Sequence, residues 1–334
     1  MREVAALAGV SLKTVSRVVN REPGVSGDLL QRVDDAIRLL GYRHDTTASS
    51  LRRADRRTAT IGLLLDDVAN PFSSTINRAI EEVARERQTL VFAGSSDGRL
   101  EREAEFVRAL AARRVDGLIV MPVGLDHATL LRERQRGLPM VFVDRRASSL
   151  LVDSVVADNR GGVQVAIQHL AEHGHRRIGF LGDLSTIWTA EERYRGYVEG
   201  LATEGLYLEP ELVRRDVRGI AAAEEAAADL LYSIDPPTAL IASQNLLTIG
   251  AIRALRSTNA QQRVALIGFD DVPLADLLSP PVTVVAQDPV AIGQAAARRL
   301  FARLDGDESE GQVIVVPTRL IARGSGELWP PGVL

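Results

Sequence analysis

From Thr60 onward the chain alternates short apolar runs with longer amphipathic stretches, and this alternation limits the fold more than any other feature. TIGLLLDD, TLVFAG, VDGLIVM and PMVFVD carry apolar residues without interruption and read as buried parallel strands. PFSSTINRAIEEVARER and REAEFVRALAARR have helical spacing and read as the helices between them. A second series, RRIGFLGD, LVRRDV, PTALIAS and VALIGFDD, repeats the scheme, with helices expected near Gly162 to His173, Ala190 to Glu204, Ala221 to Leu231 and Leu246 to Arg256. Two similar doubly wound α/β lobes are implied. Their openings, TATIGLLLDD and HRRIGFLGD, form a weak internal repeat, as expected if each lobe starts with an equivalent strand. Ligands of such sheets bind beyond the carboxyl ends of the strands. That singles out Asp66, Asp67, Asp144, Asp183, Gln244, Asn245, Asp270 and Asp271.

The amino-terminal stretch AALAGVSLKTVSRVVN has a different pattern. Ala5, Leu7 and Ala8 can share a helical face, Gly9 supplies a left-handed turn residue, and Ser11 is placed to cap a second helix whose apolar face is Val15, Val18 and Val19. This is helix-turn-helix spacing. It leaves Leu12, Lys13, Ser16 and Arg17 on the outward face, where such side chains reach base edges or phosphates, with Arg17 the best placed for bidentate contact to guanine. The alternative is a short helical hairpin with a solvated charged face. In REPGVSGDLLQRVDDAIRLLGY, Pro23 and Gly24 make a turn, Ser26 can cap, and Leu29, Leu30, Val33, Ile37 and Leu40 fall at helical spacing, which completes a three-helix unit. The polar RHDTTASSLRRADRRT that follows reads as a linker with a lone leucine, Leu51.

Charge follows the same division. The net charge of -4 hides eleven Lys/Arg against seven Asp/Glu up to Arg57, about +4, which leaves about -8 for the rest. The basic end is the helix-turn-helix end, and the field that steers DNA association is local.

Several classes are excluded or disfavoured. Without cysteine there are no disulfides, thiolate metal sites or cysteine nucleophiles. No uninterrupted apolar run is long enough for a membrane span, and the first residues read as an amphipathic helix and not a signal sequence, so a cytoplasmic protein is expected. His169 and His173 have the i,i+4 spacing of a metal pair, with His175 close by, but Leu170 stands where a zinc-protease helix needs glutamate. GSSDGR near Gly94 lacks the Gly-Lys-Ser/Thr of a phosphate loop, and no Gly-x-Ser-x-Gly occurs. An enzyme is therefore not expected, nor any cofactor or metal. A transport-type sugar-binding protein would not carry the amino-terminal helical pair.

Ten motifs in order resemble the lactose-repressor/galactose-repressor (LacI/GalR) family of bacterial transcription regulators over nearly the whole chain. They are VAALAGVSLKTVSRVVN, VSGDLLQRVDDAIRLLGYR, TIGLLLDDVANPF, RRVDGLIVMP, DSVVADNRGG, HLAEHGHRRIGFLGD, ERYRGY, PTALIASQNLLTIGAIRAL, VALIGFDDVPLADLLSPPVTVVAQDP and PTRLIARGS. The resemblance implies an all-α helix-turn-helix headpiece followed by a two-lobed, periplasmic-binding-protein-like α/β core of doubly wound parallel sheets. The expected boundaries are a headpiece over 1–43, a hinge over 44–57 and a core over 58–334, with one lobe about 58–158 and 289–316 and the other about 159–288 and 317–334.

Carried over by position, the resemblance places Ser11, Leu12, Lys13, Thr14, Ser16 and Arg17 on the recognition helix, Asn20 near the DNA backbone, and Ala48, Leu51 and Arg52 in a hinge whose leucine wedges into the minor groove. It puts Phe72, Asp144, Trp188, Thr189, Arg193, Gln244, Asn245, Asp270 and Gln287 around an effector pocket. The implied partners are a near-palindromic duplex operator, a sugar-like effector and a second copy of the chain. A nucleoside, purine or phosphorylated sugar as effector, or action as an activator, is the alternative. The chain departs from the family pattern at Met1, where the usual residues before the first helix, including a capping threonine, are missing. It departs again at His44 and Asp45, which replace a proline and an asparagine before the hinge, and at Gln244-Asn245, which replaces the commoner Asn-Asp pair and removes a negative charge.

Overall fold

The computed structural model describes residues 1–19, 24–42, 57–124, 127–146 and 152–332. The chain folds as two compact units, Met1–Thr58 and Ala59–Leu334.

The first unit holds three helices, α1 (Arg2–Ala8), α2 (Leu12–Val19) and α3 (Gly27–Leu40). Helix α1 stops at Gly9, whose φ of 62° lies in the left-handed region that glycine enters without steric cost. Two residues later Ser11 Oγ accepts the Thr14 N–H at 3.1 Å and starts α2. Val4, Ala5, Ala8, Val15, Val18, Val33 and Ala36 form the core, and Arg32 Nη2 donates to the Ala8 carbonyl at 2.7 Å, which ties α3 to the end of α1.

Three sequence expectations need correction. Leu7 is 52% exposed, because at about 100° per residue it falls well off the stripe of Val4, Ala5 and Ala8. Leu30 and Leu40 are also exposed: α3 has 14 residues against 7 and 8 in its partners, so its ends outrun the helices that could cover them. Ser26 occupies the N-cap position of α3 but makes no capping hydrogen bond through its side chain.

The second unit contains two six-stranded sheets. The first comprises β1 (Thr60–Leu65), β2 (Leu90–Ser95), β3 (Gly117–Val120), β4 (Met140–Val143), β5 (Asp153–Ala157) and β11 (Val313–Val316), ordered β11-β5-β4-β3-β1-β2. The second comprises β6 (Ile178–Leu181), β7 (Val213–Arg214), β8 (Ala239–Ala242), β9 (Ala265–Phe269), β10 (Thr283–Ala286) and β12 (Arg319–Ile321), ordered β12-β10-β9-β8-β6-β7. The five strands from β1 to β5 and from β6 to β10 thus have the same order. The pairings are parallel except β10 with β12, which is antiparallel.

Helices α4 (Pro71–Glu86), α5 (Leu100–Ala112), α6 (Ala128–Gln135) and α11 (Pro289–Leu304) belong to the first lobe. Helices α7 (Asn159–Glu172), α8 (Trp188–Thr203), α9 (Gly219–Leu231) and α10 (Asn245–Ser257) belong to the second. Ile61, Leu63 and Leu65 join one core with α4 and α11, while Leu64 joins the core on the opposite face of the sheet. Burial on both faces is why these strands are apolar throughout. The chain passes between the sheets three times, after β5, after β10 and between β11 and β12. Among the described residues no helix is long and apolar enough to cross a membrane.

Candidate functional site

In the first unit, burial of Val15 and Val18 fixes the roll of α2. Ser11, Leu12 and Lys13 are exposed at its start, and Thr14, Ser16 and Arg17 are half-buried. The Ser11 and Thr14 hydroxyls lie 2.9 Å apart and share a hydrogen bond, so Leu12 and Lys13 are the side chains presented most openly by the first turn. Asn20, Ala48, Leu51 and Arg52 lie outside the described residues.

In the second unit a cleft opens between the sheets at the carboxyl ends of their strands. Eight of the nine side chains assigned to a pocket by resemblance line it: Phe72, Asp144, Thr189, Arg193, Gln244, Asn245, Asp270 and Gln287. Trp188 does not. It is the first residue of α8, and one helical step of about 100° separates it from Thr189, which does face the cleft. Asp66, Asp67 and Asp183, marked by their strand-end positions, also line it, and so do Asn70, Ser73, Met121, Arg145, Ala190 and Ser243, which no sequence signal singles out.

The lobes contribute matched elements. Asp144 follows β4 and Asp270 follows β9, and both have left-handed backbone, φ 66° and 72°. Aspartate enters this region more readily than most residues. Each donates its N–H to the neighbouring strand, Asp144 to Val155 O at 2.8 Å and Asp270 to Val285 O at 2.9 Å. The strand ladder therefore continues through the residue whose side chain reaches the cleft.

Arg193 is 4% exposed and tightly held. Its Nε donates to Asn159 Oδ1 at 2.7 Å and its Nη1 to Ser243 O at 2.7 Å, and its guanidinium stacks 3.8 Å over the Phe269 ring. Two of its three nitrogens are spent on the framework, which leaves one for a ligand. Burial pulls its pKa down against the opposing pull of Asp270, Asp144 and Asp183. Burial also raises Asp144 above the usual carboxylate range despite the nearby Arg145 and Arg193, and raises Asp183 despite the Leu184 N–H it accepts.

Arg145 bridges two carboxylates, Nη2 to Asp66 at 3.1 Å and Nε to Asp144 at 3.5 Å. Across the cleft Gln287 Nε2 donates to Asp270 at 2.6 Å. Gln244 Oε1 caps α10 by accepting from the Leu246 and Leu247 N–H groups at 2.8 and 3.3 Å. Asn70 and Asn245, each at a helix start, exchange amide hydrogen bonds of 3.3 and 2.9 Å from one lobe to the other.

The wall is polar and incompletely satisfied. Asp66 Oδ1, Gln287 Oε1, Ser243 Oγ and Arg145 Nε are buried without a hydrogen-bond partner among the described residues. Such groups cost free energy until something supplies the missing bond. Five carboxylates line the cleft against two guanidinium groups.

The histidines serve another purpose. His169 pairs with Glu327 at 2.6 Å, His173 Nδ1 meets the His169 carbonyl at 2.7 Å, and buried His175 is satisfied by Thr238 Oγ1 and Leu328 O. They fasten the carboxyl-terminal segment to α7 and β8. No cluster able to hold a metal occurs among the described residues.

A model of the bacterial regulatory proteins of the lacI family matches residues 1–45, and one of a periplasmic binding protein-like domain matches residues 167–326. The chain is 30% identical over 331 residues to the HTH-type transcriptional repressor PurR of Aliivibrio fischeri (strain MJ11), covering 97% of each protein. A solved complex of the transcriptional regulator CelR with cellobiose is 30% identical with a TM-score of 0.75, covering 97% of this chain and 98% of that one. A Lac repressor dimer bound to operator and the anti-inducer ONPF is 25% identical with a TM-score of 0.86, covering 97% of each. The chain belongs to the LacI family: it is a DNA-binding transcriptional regulator with a helix-turn-helix headpiece and a periplasmic-binding-protein-like core, and not an enzyme.

Proposed function

We propose that the protein is a homodimeric repressor whose interlobe cleft takes a neutral polyhydroxy effector, a sugar or sugar derivative, and thereby controls its hold on a near-palindromic operator. The carrying observation is the wall of the cleft: five aspartates, four side-chain amides, Arg145 and Arg193 line it, and four buried polar atoms lack partners among the described residues. A hydroxyl both donates and accepts, so a ring of hydroxyls satisfies carboxylates, amides and a guanidinium together. Excess carboxylate disfavours a phosphorylated ligand. With Trp188 away from the cleft, Phe72 is the only aromatic side chain among the described lining residues, which argues against a planar base held between rings.

On DNA, a two-fold dimer presents α2 twice to two half-sites. Leu12 and Lys13 meet base edges or phosphates, Arg17 reads guanine, Asn20 lies by the backbone, and the hinge with Ala48, Leu51 and Arg52 folds against the minor groove. Ligand closure of the lobes changes whether both hinges engage at once. The protein works in the cytoplasm, where its operator is.

The test uses the full chain. Duplexes selected from a random pool give the operator, and fluorescence anisotropy then follows binding against panels of neutral sugars, nucleosides and sugar phosphates. A shift in operator affinity with a neutral sugar is expected. A response confined to nucleosides or phosphates overturns the sugar reading, and failure to enrich any duplex sequence overturns the operator reading.

A further inference from the structure

The interlobe cleft is one of two cavities that share a wall. The second, about 550 Å³ and open to solvent, lies at the rim where both lobes meet, and Asp66 and Arg145 line both. Its remaining walls differ from those of the cleft. Leu100, Val123, Leu184 and Ile187 supply apolar surface, and Arg99 and Arg218 supply positive charge beside the carboxylate of Glu101. Arg218 Nη2 donates to the Asp97 carbonyl at 3.1 Å, so the rim cavity is built by both lobes, as the cleft is.

The partition is a side chain and not backbone. Arg145 is 8% exposed, yet among the described residues its side chain is held by carboxylates alone, Asp66 at 3.1 Å and Asp144 at 3.5 Å, and its Nε makes no hydrogen bond to them. Arg193 is different: its carbonyl and amide partners and the ring beneath it leave no alternative position. A long side chain held by ion pairs alone can rotate about its stem and keep one carboxylate while it releases the other.

We propose that the effector is an elongated neutral saccharide of at least two rings, with one ring in the acid-lined cleft, the next against the apolar wall of the rim cavity, and Arg145 as the movable partition that selects for length. The proposal rests on the polyhydroxy reading of the cleft and extends it. The deep cleft satisfies the hydroxyls of the first ring. The rim covers the less polar face of the second, and Arg145 turns aside with Asp66 to join the two cavities.

The experiment is titration calorimetry on the full-length protein with cellobiose, maltose and lactose against glucose and galactose. The best disaccharide should bind at least about tenfold more tightly than its component monosaccharides. Leu184→Trp, which fills the rim cavity, should remove most of that margin and leave monosaccharide affinity within about twofold. Arg145→Ala, which removes the partition, should alter the disaccharide-to-monosaccharide ratio. Equal affinity for one ring and two, unchanged in both variants, overturns the length selection but leaves the polyhydroxy reading standing. Absence of binding by every saccharide, with binding of adenosine or a sugar phosphate instead, overturns that reading and this inference with it. Thermal melts of both variants confirm that they fold.

Discussion

The two lobes place an aspartate at the same point of the same strand order and then surround it differently. In the second lobe Asp270 meets the Gln287 amide at 2.6 Å, beside an Arg193 locked by two hydrogen bonds and a ring. In the first lobe Asp144 faces Arg145, a side chain held among the described residues by carboxylates alone. One half of the cleft is therefore pre-organised and the other adjustable. Pre-organised donors set ligand orientation at small entropic cost, whereas adjustable ones set which ligands fit. A duplicated framework does not force a duplicated site.

The far ends of the lobes sharpen the contrast. Asp153 starts β5, is 1% exposed, and holds Arg299 at 2.9 Å, Arg303 at 2.6 Å and the Gln312 N–H at 3.0 Å. Thr283, at the matching start of β10, uses an uncharged hydroxyl, which donates to Glu327 at 2.8 Å and accepts the Arg323 and Gly326 N–H groups at 3.0 and 3.1 Å. Asp153→Ala should cost about 3 kcal/mol in urea unfolding, because it removes the buried carboxylate that Arg299 and Arg303 share and leaves Arg299 with Asp307 and Ser309 and Arg303 with backbone carbonyls. Thr283→Ala should cost about 1–2 kcal/mol. Burial raises the pKa of Asp153, but the bonds from Arg303, Gln312 and Arg299 outweigh it and the net shift is downward. Its stabilisation is thus present above the unfolded value near 3.8 and is lost as pH falls through the folded value. Equal losses in the two variants would remove the distinction.

Within the cleft, Arg193→Ala should weaken saccharide binding by about 2–3 kcal/mol, since it also leaves the Asn159 and Ser243 oxygens unpaired. Arg145→Ala should cost less, about 1 kcal/mol for a monosaccharide, measured by calorimetry. The reverse order would contradict the rigid-versus-adjustable assignment. Outside both lobes, Arg17→Ala should cost about 1–3 kcal/mol on operator DNA and leave calorimetric saccharide affinity unchanged.

The smallest effect concerns stability. Burial raises the pKa of Asp144, so its contribution to folding is greatest below the unfolded value near 3.8 and is lost as pH rises through the folded value. Asp144→Asn should raise the melting temperature of the free protein near neutral pH, as read by a thermal melt.

Much of this is legible in the sequence because it lies in local pattern. Uninterrupted apolar runs mark β1 to β4, β6, β8 and β9, and strand-end polar residues mark most of the cleft. The pattern does not separately identify β5, β10 or β11, with segments DSVVA, TVVA and VIVV; β11, for one, is placed by pairing with β5, far away in sequence. Arg145 escapes a reading of the sequence because one arginine beside an aspartate carries no periodic signal, and its role depends on Asp66 arriving from another strand. Family resemblance puts Trp188 in the pocket by position alone, and a single helical step removes it. The exposed leucines of α3 reflect the lengths of neighbouring helices, which apolar spacing within α3 does not report.

The most direct test of the account is a thermal-shift comparison of the full-length wild type, Arg193→Ala and Asp270→Asn across matched panels of neutral saccharides, sugar phosphates and nucleosides. The account predicts that at least one neutral saccharide raises the wild-type melting temperature and that both substitutions abolish or sharply reduce the shift. Equal saccharide shifts in all three proteins, or a wild-type shift with phosphates or nucleosides alone, would contradict it.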